Sequence, residues 1–214
     1  MAKGWTRLIL AEILETLQHS KGPHNLGEHF PESFQKLLDK NTGAEIGLTM
    51  TNIVWLGNQL ESADYTEPAL KNWVKREVKE YIGAPQVGRK YSIQQAALLF
   101  IVKDLKVLLD FEAIRKVIGS IFNNPVDRTD DIISPVVFYK AYACLYENLI
   151  AQREILSEEH IKEEVKAYIT RDPFLGENEK GKVIRALVVA VFAVRTTYLK
   201  TLAYQYVDRI NGKD

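Results

Sequence analysis

Two apolar-periodic stretches, Met50–Leu60 and Thr66–Lys79, are separated only by the five residues Glu61–Tyr65, and this spacing limits what the chain can build there. Thr49 is placed to cap the first stretch, whose Ile53, Val54, Leu56 and Leu60 fall on one side of a helix, with Trp55 as a further contributor. In the second, Thr66 can serve as N-cap and Glu67 puts negative charge at the helix start. Pro68 falls in the first turn, where its missing N–H is harmless. Leu70, Trp73, Val74 and Val78 recur at three and four residues, which predicts an apolar stripe turned toward a core. Two helices joined by so short a link form a helical hairpin or a helix-turn-helix.

The stripe leaves Lys71, Asn72, Lys75, Arg76 and Lys79 on the outer faces. Ile82–Gly83–Ala84–Pro85 then breaks the pattern, and Gln86–Tyr91 reads as a tight hairpin or wing presenting Arg89 and Lys90. From Tyr65 to Tyr91 there are six Lys/Arg against three Glu, whereas the whole chain has a formal net charge of zero. Neutrality excludes a generally polybasic protein, so contact with nucleic acid has to come from a local patch or from its duplication in a dimer. Lys, Arg and Asn suit guanine and adenine edges in the major groove, and a basic hairpin suits phosphates. Read without a ligand, the same residues are a solvated helix face diluted by Glu77 and Glu80.

Around this centre the chain reads as helical. Trp5–Leu17 is amphipathic, His19–Phe30 is loop-like, and Phe30–Leu38 reads as a short helix. His19, His24 and His29 are five residues apart, a spacing that does not align ligands on a helix face, and no cysteine accompanies them; they read as surface histidines. Ser92 caps a helix predicted over Ile93–Leu109, with Ala96, Ala97, Phe100, Ile101, Leu105 and Leu108 as core. Phe111–Phe122 packs on it through Ile114, Val117, Ile118 and Ile121.

In the C-terminal part, Asp127, Asp130 and Asp131 lie in a turn-rich stretch without calcium-loop spacing and are read as caps of the next helix. Val136–Glu154 carries Tyr139, Tyr142 and Tyr146 at helical spacing, as core or interface. Ser157 caps a further helix, and Val183–Ile210 is apolar nearly all round in its first half (ALVVAVFAV). That helix needs burial on several sides, by its own chain or a second copy.

With 214 residues, 46% of them hydrophobic, the chain can bury one large core or two small ones. A single cysteine, Cys144, fits a reducing, cytoplasmic compartment. The N-terminus lacks the continuous apolar core of a signal peptide, and the run Ala186–Val194 is shorter than a bilayer requires; no membrane role is expected. No nucleophile elbow, phosphate loop, zinc-binding His/Glu motif or paired cysteine ligands occur, so neither catalysis nor a cofactor or metal is expected.

The order of helix, turn, basic helix, Gly-containing hairpin and capped helix pair resembles the winged helix-turn-helix of MerR regulators. The match runs through Thr66–Trp73, Arg89–Lys90–Tyr91–Ser92, Ile101–Leu109 and Phe111–Ile118. More closely, NWVKREV, GRKYS and FIVKDLKVLLDFEAIR are similar to the YkrK-type domain-of-unknown-function family. The resemblance implies a mainly α protein in three parts: a helical extension (1–47), a winged helix-turn-helix (48–122) and a helical dimerisation or sensing region (123–214). It implies a regulator of transcription that reads double-stranded DNA with helix 66–79 and wing 86–91, through Thr66, Lys71, Asn72, Lys75, Arg76, Lys79, Arg89 and Lys90. It also implies a homodimer through helix 183–210. The chain departs from MerR regulators in the 47 residues before its winged segment and in carrying Lys71 and Asn72 ahead of Trp73. The competing expectation is a helical protein-interaction module that keeps the winged shape without binding DNA.

Overall fold

The computed structural model describes residues 4–19, 45–61, 63–151, 157–173 and 175–210. Within them the chain is mainly helical, with nine α-helices and one two-stranded antiparallel sheet. The order is α1 (Arg7–His19), β1 (Gly47–Leu48), α2 (Met50–Gly57), α3 (Glu67–Asn72), a π-helical turn (Trp73–Glu77) and α4 (Lys79–Ile82). There follow β2 (Tyr91–Ser92), α5 (Ile93–Leu105), α6 (Phe111–Ile118), a 3-10 turn (Arg128–Asp130), α7 (Pro135–Ala151), α8 (Glu158–Thr170) and α9 (Glu177–Ile210). His24, His29 and the helix expected over Phe30–Leu38 lie outside the described residues.

Helix starts follow the capping residues. Thr49 accepts from the Asn52 N–H while the Asn52 side chain accepts from the Thr49 N–H, and Ser92 and Gln95 repeat that reciprocal pair at α5. Asp110 and Ser157 cap α6 and α8 through the N–H groups of Ala113 and His160. Gly47 pairs with Ser92 and Leu48 with Tyr91, so the small sheet fastens the start of α2 to the start of α5.

Helix α5 is the axis of the core. Ala96 through Val102 are buried without interruption, and α1, α7 and α9 pack around it. Helix α7 adds Phe138, Tyr139 and Tyr142. The apolar half of α9, from Val183 to Val194, is turned toward α5, α7 and α8 of its own chain. By length and mean hydropathy (1.5 over its most apolar window) α9 could cross a bilayer; 33% of that window is buried within the fold. Buried residues from Leu10 to Val194 belong to one continuous core.

Several expected boundaries shift, among them the end of α2, at Gly57 rather than Leu60. Helix α5 stops at Leu105 rather than Leu109, and Leu108, expected in the core, is 47% exposed beyond the helix end. Helix α6 stops at Ile118, although Ile121 and Phe122 beyond it remain buried. Helix α9 begins at Glu177, six residues before Val183, and runs through Gly181.

A largely buried polar centre lies at the edge of this apolar core. Asp104, 3% exposed, receives Arg7 Nε at 2.9 Å, Arg7 Nη2 at 2.8 Å and the Tyr142 hydroxyl at 2.9 Å. Burial alone would lower the Arg7 guanidinium; Asp104 opposite it reverses the effect and holds it charged far above the ordinary range. The bidentate pair thereby ties α1 to α5 and α7.

Candidate nucleic-acid interface

The link between α2 and α3 is closed by one side chain. Asn58 donates from Nδ2 to the Tyr65 carbonyl at 2.9 Å and accepts the Tyr65 N–H at 2.7 Å. Gly57 lies against the Tyr65 ring so closely that a Cβ there would sit 2.7 Å from ring atoms. Tyr65 itself packs edge-on against Phe100, with centroids 5.6 Å apart. The angle between α2 and α3 is therefore set from the core outward.

The segment expected as one helix from Thr66 to Lys79 is instead α3, the π turn, a break at Val78 and α4. Its buried residues explain the difference. Leu70, Trp73, Val78 and Ile82 point inward, and the gap of five between Trp73 and Val78 does not fit an α-helical turn. A wider turn absorbs it, with the Val78 N–H on the Trp73 carbonyl at 3.0 Å. Val74, expected in the stripe, is left half-buried.

Thr66 occupies the N-cap position of α3 without a side-chain capping bond, and it is exposed, as are Lys71, Asn72, Lys75, Arg76 and Lys79. Lys71 is engaged: its Nζ lies 2.6 Å from Glu67 Oε2, and Thr51 donates to the other Glu67 oxygen. These two bonds lower the Glu67 carboxyl. Lys75, Arg76 and Lys79 have no acidic partner among the described residues.

Gly83, at φ +71°, ends α4 in a conformation that suits glycine, and the chain then forms the expected hairpin. Val87 and Lys90 exchange backbone hydrogen bonds at 3.0 Å around Gly88, whose φ of +62° makes the turn. Arg89 is exposed and Lys90 half-exposed. Gly47 of β1 lies against the hairpin base; a Cβ there would come within 2.8 Å of the Val87 and Lys90 Cβ atoms. Burial raises the Tyr91 phenol, and the charge of Lys71 opposes that rise.

Residues not anticipated from sequence hold this segment from behind. Arg115 Nη1 donates to the Glu77 carbonyl at 2.9 Å, and Arg128 Nη2 donates to the Tyr81 carbonyl. Gln95, fully buried, donates to the carbonyls of Ile82 and Ala84, each at 2.7 Å. Its oxygen accepts the N–H groups of Ser92 at 2.9 Å and Gln86 at 3.3 Å. The pattern Ser92–x–x–Gln95 is the available sequence signal, since a glutamine at that position of a capped helix reaches back to the cap. The aspartates read as caps of α7 fold their own loop instead. Asp131 accepts the Asn123 N–H at 2.7 Å and pairs with Arg128 at 3.5 Å, while Asp127 accepts from Thr129.

The fold and site define a mainly helical protein in which a bent basic segment and a basic hairpin lie against a common core. A domain-of-unknown-function profile, DUF1836, matches residues 44–142. The chain is also similar to the uncharacterized protein YkrK of Bacillus subtilis (strain 168), 33% identical over 180 residues, 82% of this chain and 77% of that protein. The chain belongs to the DUF1836 family. No solved structure matches it.

Proposed function

We propose that the chain is a DNA-binding regulator of transcription with a MerR-like winged helix-turn-helix, in which α3 and the π turn enter the major groove and the Gln86–Tyr91 hairpin is the wing. The observation that carries this reading is the set of cations without acidic partners among the described residues: Lys75 and Arg76 on the π turn, Lys79 at the start of α4, and Arg89 and Lys90 on the hairpin. Unpaired cations on adjoining elements attract a polyanion at no cost in broken ion pairs. Asn72 and Lys71 would read base edges, Lys71 after leaving Glu67, while Arg89 and Lys90 would grip phosphates. The protein would act without catalysis or cofactor, in the cytoplasm. A second copy would pair through α9, using the part beyond the buried stretch, where Tyr198 and Leu199 are about half-exposed.

The division of roles is tested on a selected DNA site and on random DNA. Arg89→Ala should weaken both and reduce the salt slope by about one, whereas Asn72→Ala should erase the preference between them. Equal losses for both variants on both DNAs would refute the assignment.

One observation favours a different reading. Lys71 is neutralised by Glu67, and Glu77 and Glu80 lie among the basic residues, as on an interaction surface for another protein. An absence of DNA binding at low salt would move the choice there.

A further inference from the structure

Gln95 lies behind the candidate interface, with no exposed atom of its own, yet it contacts both arms. A primary amide has two donors and two acceptor sites, and here all four are used. The donors take the carbonyl that ends α4 (Ile82) and the one just after it (Ala84); the acceptors take the N–H that opens the hairpin (Gln86) and the one that closes it (Ser92). Between Ile82 and Gln86 the chain runs through Gly83, at positive φ, and Pro85, which has no N–H. This short connector has little backbone pairing of its own to fix its course; Gly83 N–H on the Lys79 carbonyl belongs to the helix end. Gln86 adds a second tie, accepting from the Ser92 hydroxyl at 3.1 Å and donating to the Pro125 carbonyl.

We infer that Gln95 is a positioning residue that sets the angle between the basic segment and the hairpin, so that Lys75, Arg76 and Lys79 engage the same ligand as Arg89 and Lys90. The inference rests on the DNA-binding reading for the identity of that ligand and on the hydrogen bonds alone for the coupling. Removing the amide frees the joint and takes away the Gln95 half of the α5 capping pair, while Ser92 Oγ still accepts the Gln95 N–H. Buried carbonyls and N–H groups left without partners would then reorganise toward water.

The experiment uses the full-length Gln95→Met variant, close in volume, equally uncharged and remote from the ligand face. Amide hydrogen exchange should show Gln86 and Ser92 losing protection by about tenfold or more while Ala96–Val102 of α5 keep theirs. DNA affinity is then measured across a salt series for wild type, Gln95→Met, Arg89→Ala and the double variant. Arg89→Ala should cost about tenfold in the wild-type background and less than about twofold beside Gln95→Met, because a free hairpin no longer delivers Arg89 to the duplex. General destabilisation would leave the Arg89 effect at its wild-type size, and that outcome overturns the inference, as does unchanged exchange at Gln86 and Ser92. A wild type that binds no DNA refutes the regulator reading while the exchange data still decide the coupling. Should Gln95→Met fail to fold, Gln95→Asn keeps the amide, shortens its reach by one methylene and carries the same comparisons.

Discussion

Asp104 is the point at which single residues govern the core. With Arg7 bound in two places and Tyr142 on the same carboxylate, replacing it by Asn leaves a buried guanidinium without its counter-charge. Asp104→Asn should destabilise the fold by about 3–5 kcal/mol in urea denaturation, and a loss below 1 kcal/mol would show the pair to be dispensable. The tyrosines beside it predict the alkaline limit of stability. Burial, followed by Asp104, holds the Tyr65, Tyr139 and Tyr142 phenols well above 10, and burial pushes Tyr146 up to about 12. The unfolded chain releases these protons near pH 10 and the folded chain keeps them, so the folded state binds more protons and stability falls as pH rises. Their contribution is complete below pH 10 and declines above it, for Tyr146 until about pH 12; a urea midpoint unchanged between pH 9 and 11 would contradict this. The tyrosines were legible in the sequence, because Tyr139, Tyr142 and Tyr146 keep helical spacing. Arg7 and Asp104 were not: they lie 97 residues apart, and each reads alone as a solvated charge.

At the scale of elements, helix starts were legible and helix ends were not. Thr49, Ser92 and Ser157 announce their helices through side-chain chemistry local to the sequence. No glycine or proline marks the end of α5 at Leu105, and Gly181 reads as a breaker although α9 runs through it. The π turn was hidden for a similar reason. Val74 and Val78 are equally apolar, and only burial of Ile82 four residues after Val78 selects the five-residue gap. The two-residue strand β1 has no alternating pattern to display. The joint between α2 and α3 gives a sharper test, because a methyl group at Gly57 meets the Tyr65 ring at 2.7 Å. Gly57→Ala should lower stability by about 1–3 kcal/mol through overpacking, measured by thermal unfolding. An unchanged melting temperature would mean that α2 and Tyr65 part without cost.

For the whole molecule, the decisive question is what the apolar surfaces face. The sequence leaves the helix around ALVVAVFAV open between its own core and a second copy; one side of Val183–Val194 packs into its own core, while Ile184, Val188, Val189 and Phe192 stay half-buried. The large, at least half-exposed apolar side chains of α9 fall in its later part, among them Tyr198, Leu199 and Tyr204, and the proposed pairing is placed there. Leu199→Glu should convert the proposed dimer to monomer in sedimentation while changing stability by less than about 0.5 kcal/mol. A wild type that already sediments as a monomer would remove the dimer from the account. The mainly helical class was legible because helical periods and caps recur along the chain. The clamping of the basic segment by Gln95, Arg115 and Arg128 was not, because it joins residues 11 to 47 positions apart through backbone carbonyls that carry no sequence signature.

The central claim is that the basic segment and hairpin bind DNA, and binding of the full-length protein to genomic and random duplexes across a salt series tests it directly, with Arg89→Ala alongside. If the basic segment and hairpin bind DNA as proposed, binding is sequence-selective and weakens steeply with salt, with a slope smaller by about one for Arg89→Ala. No binding to any duplex at low salt would contradict it.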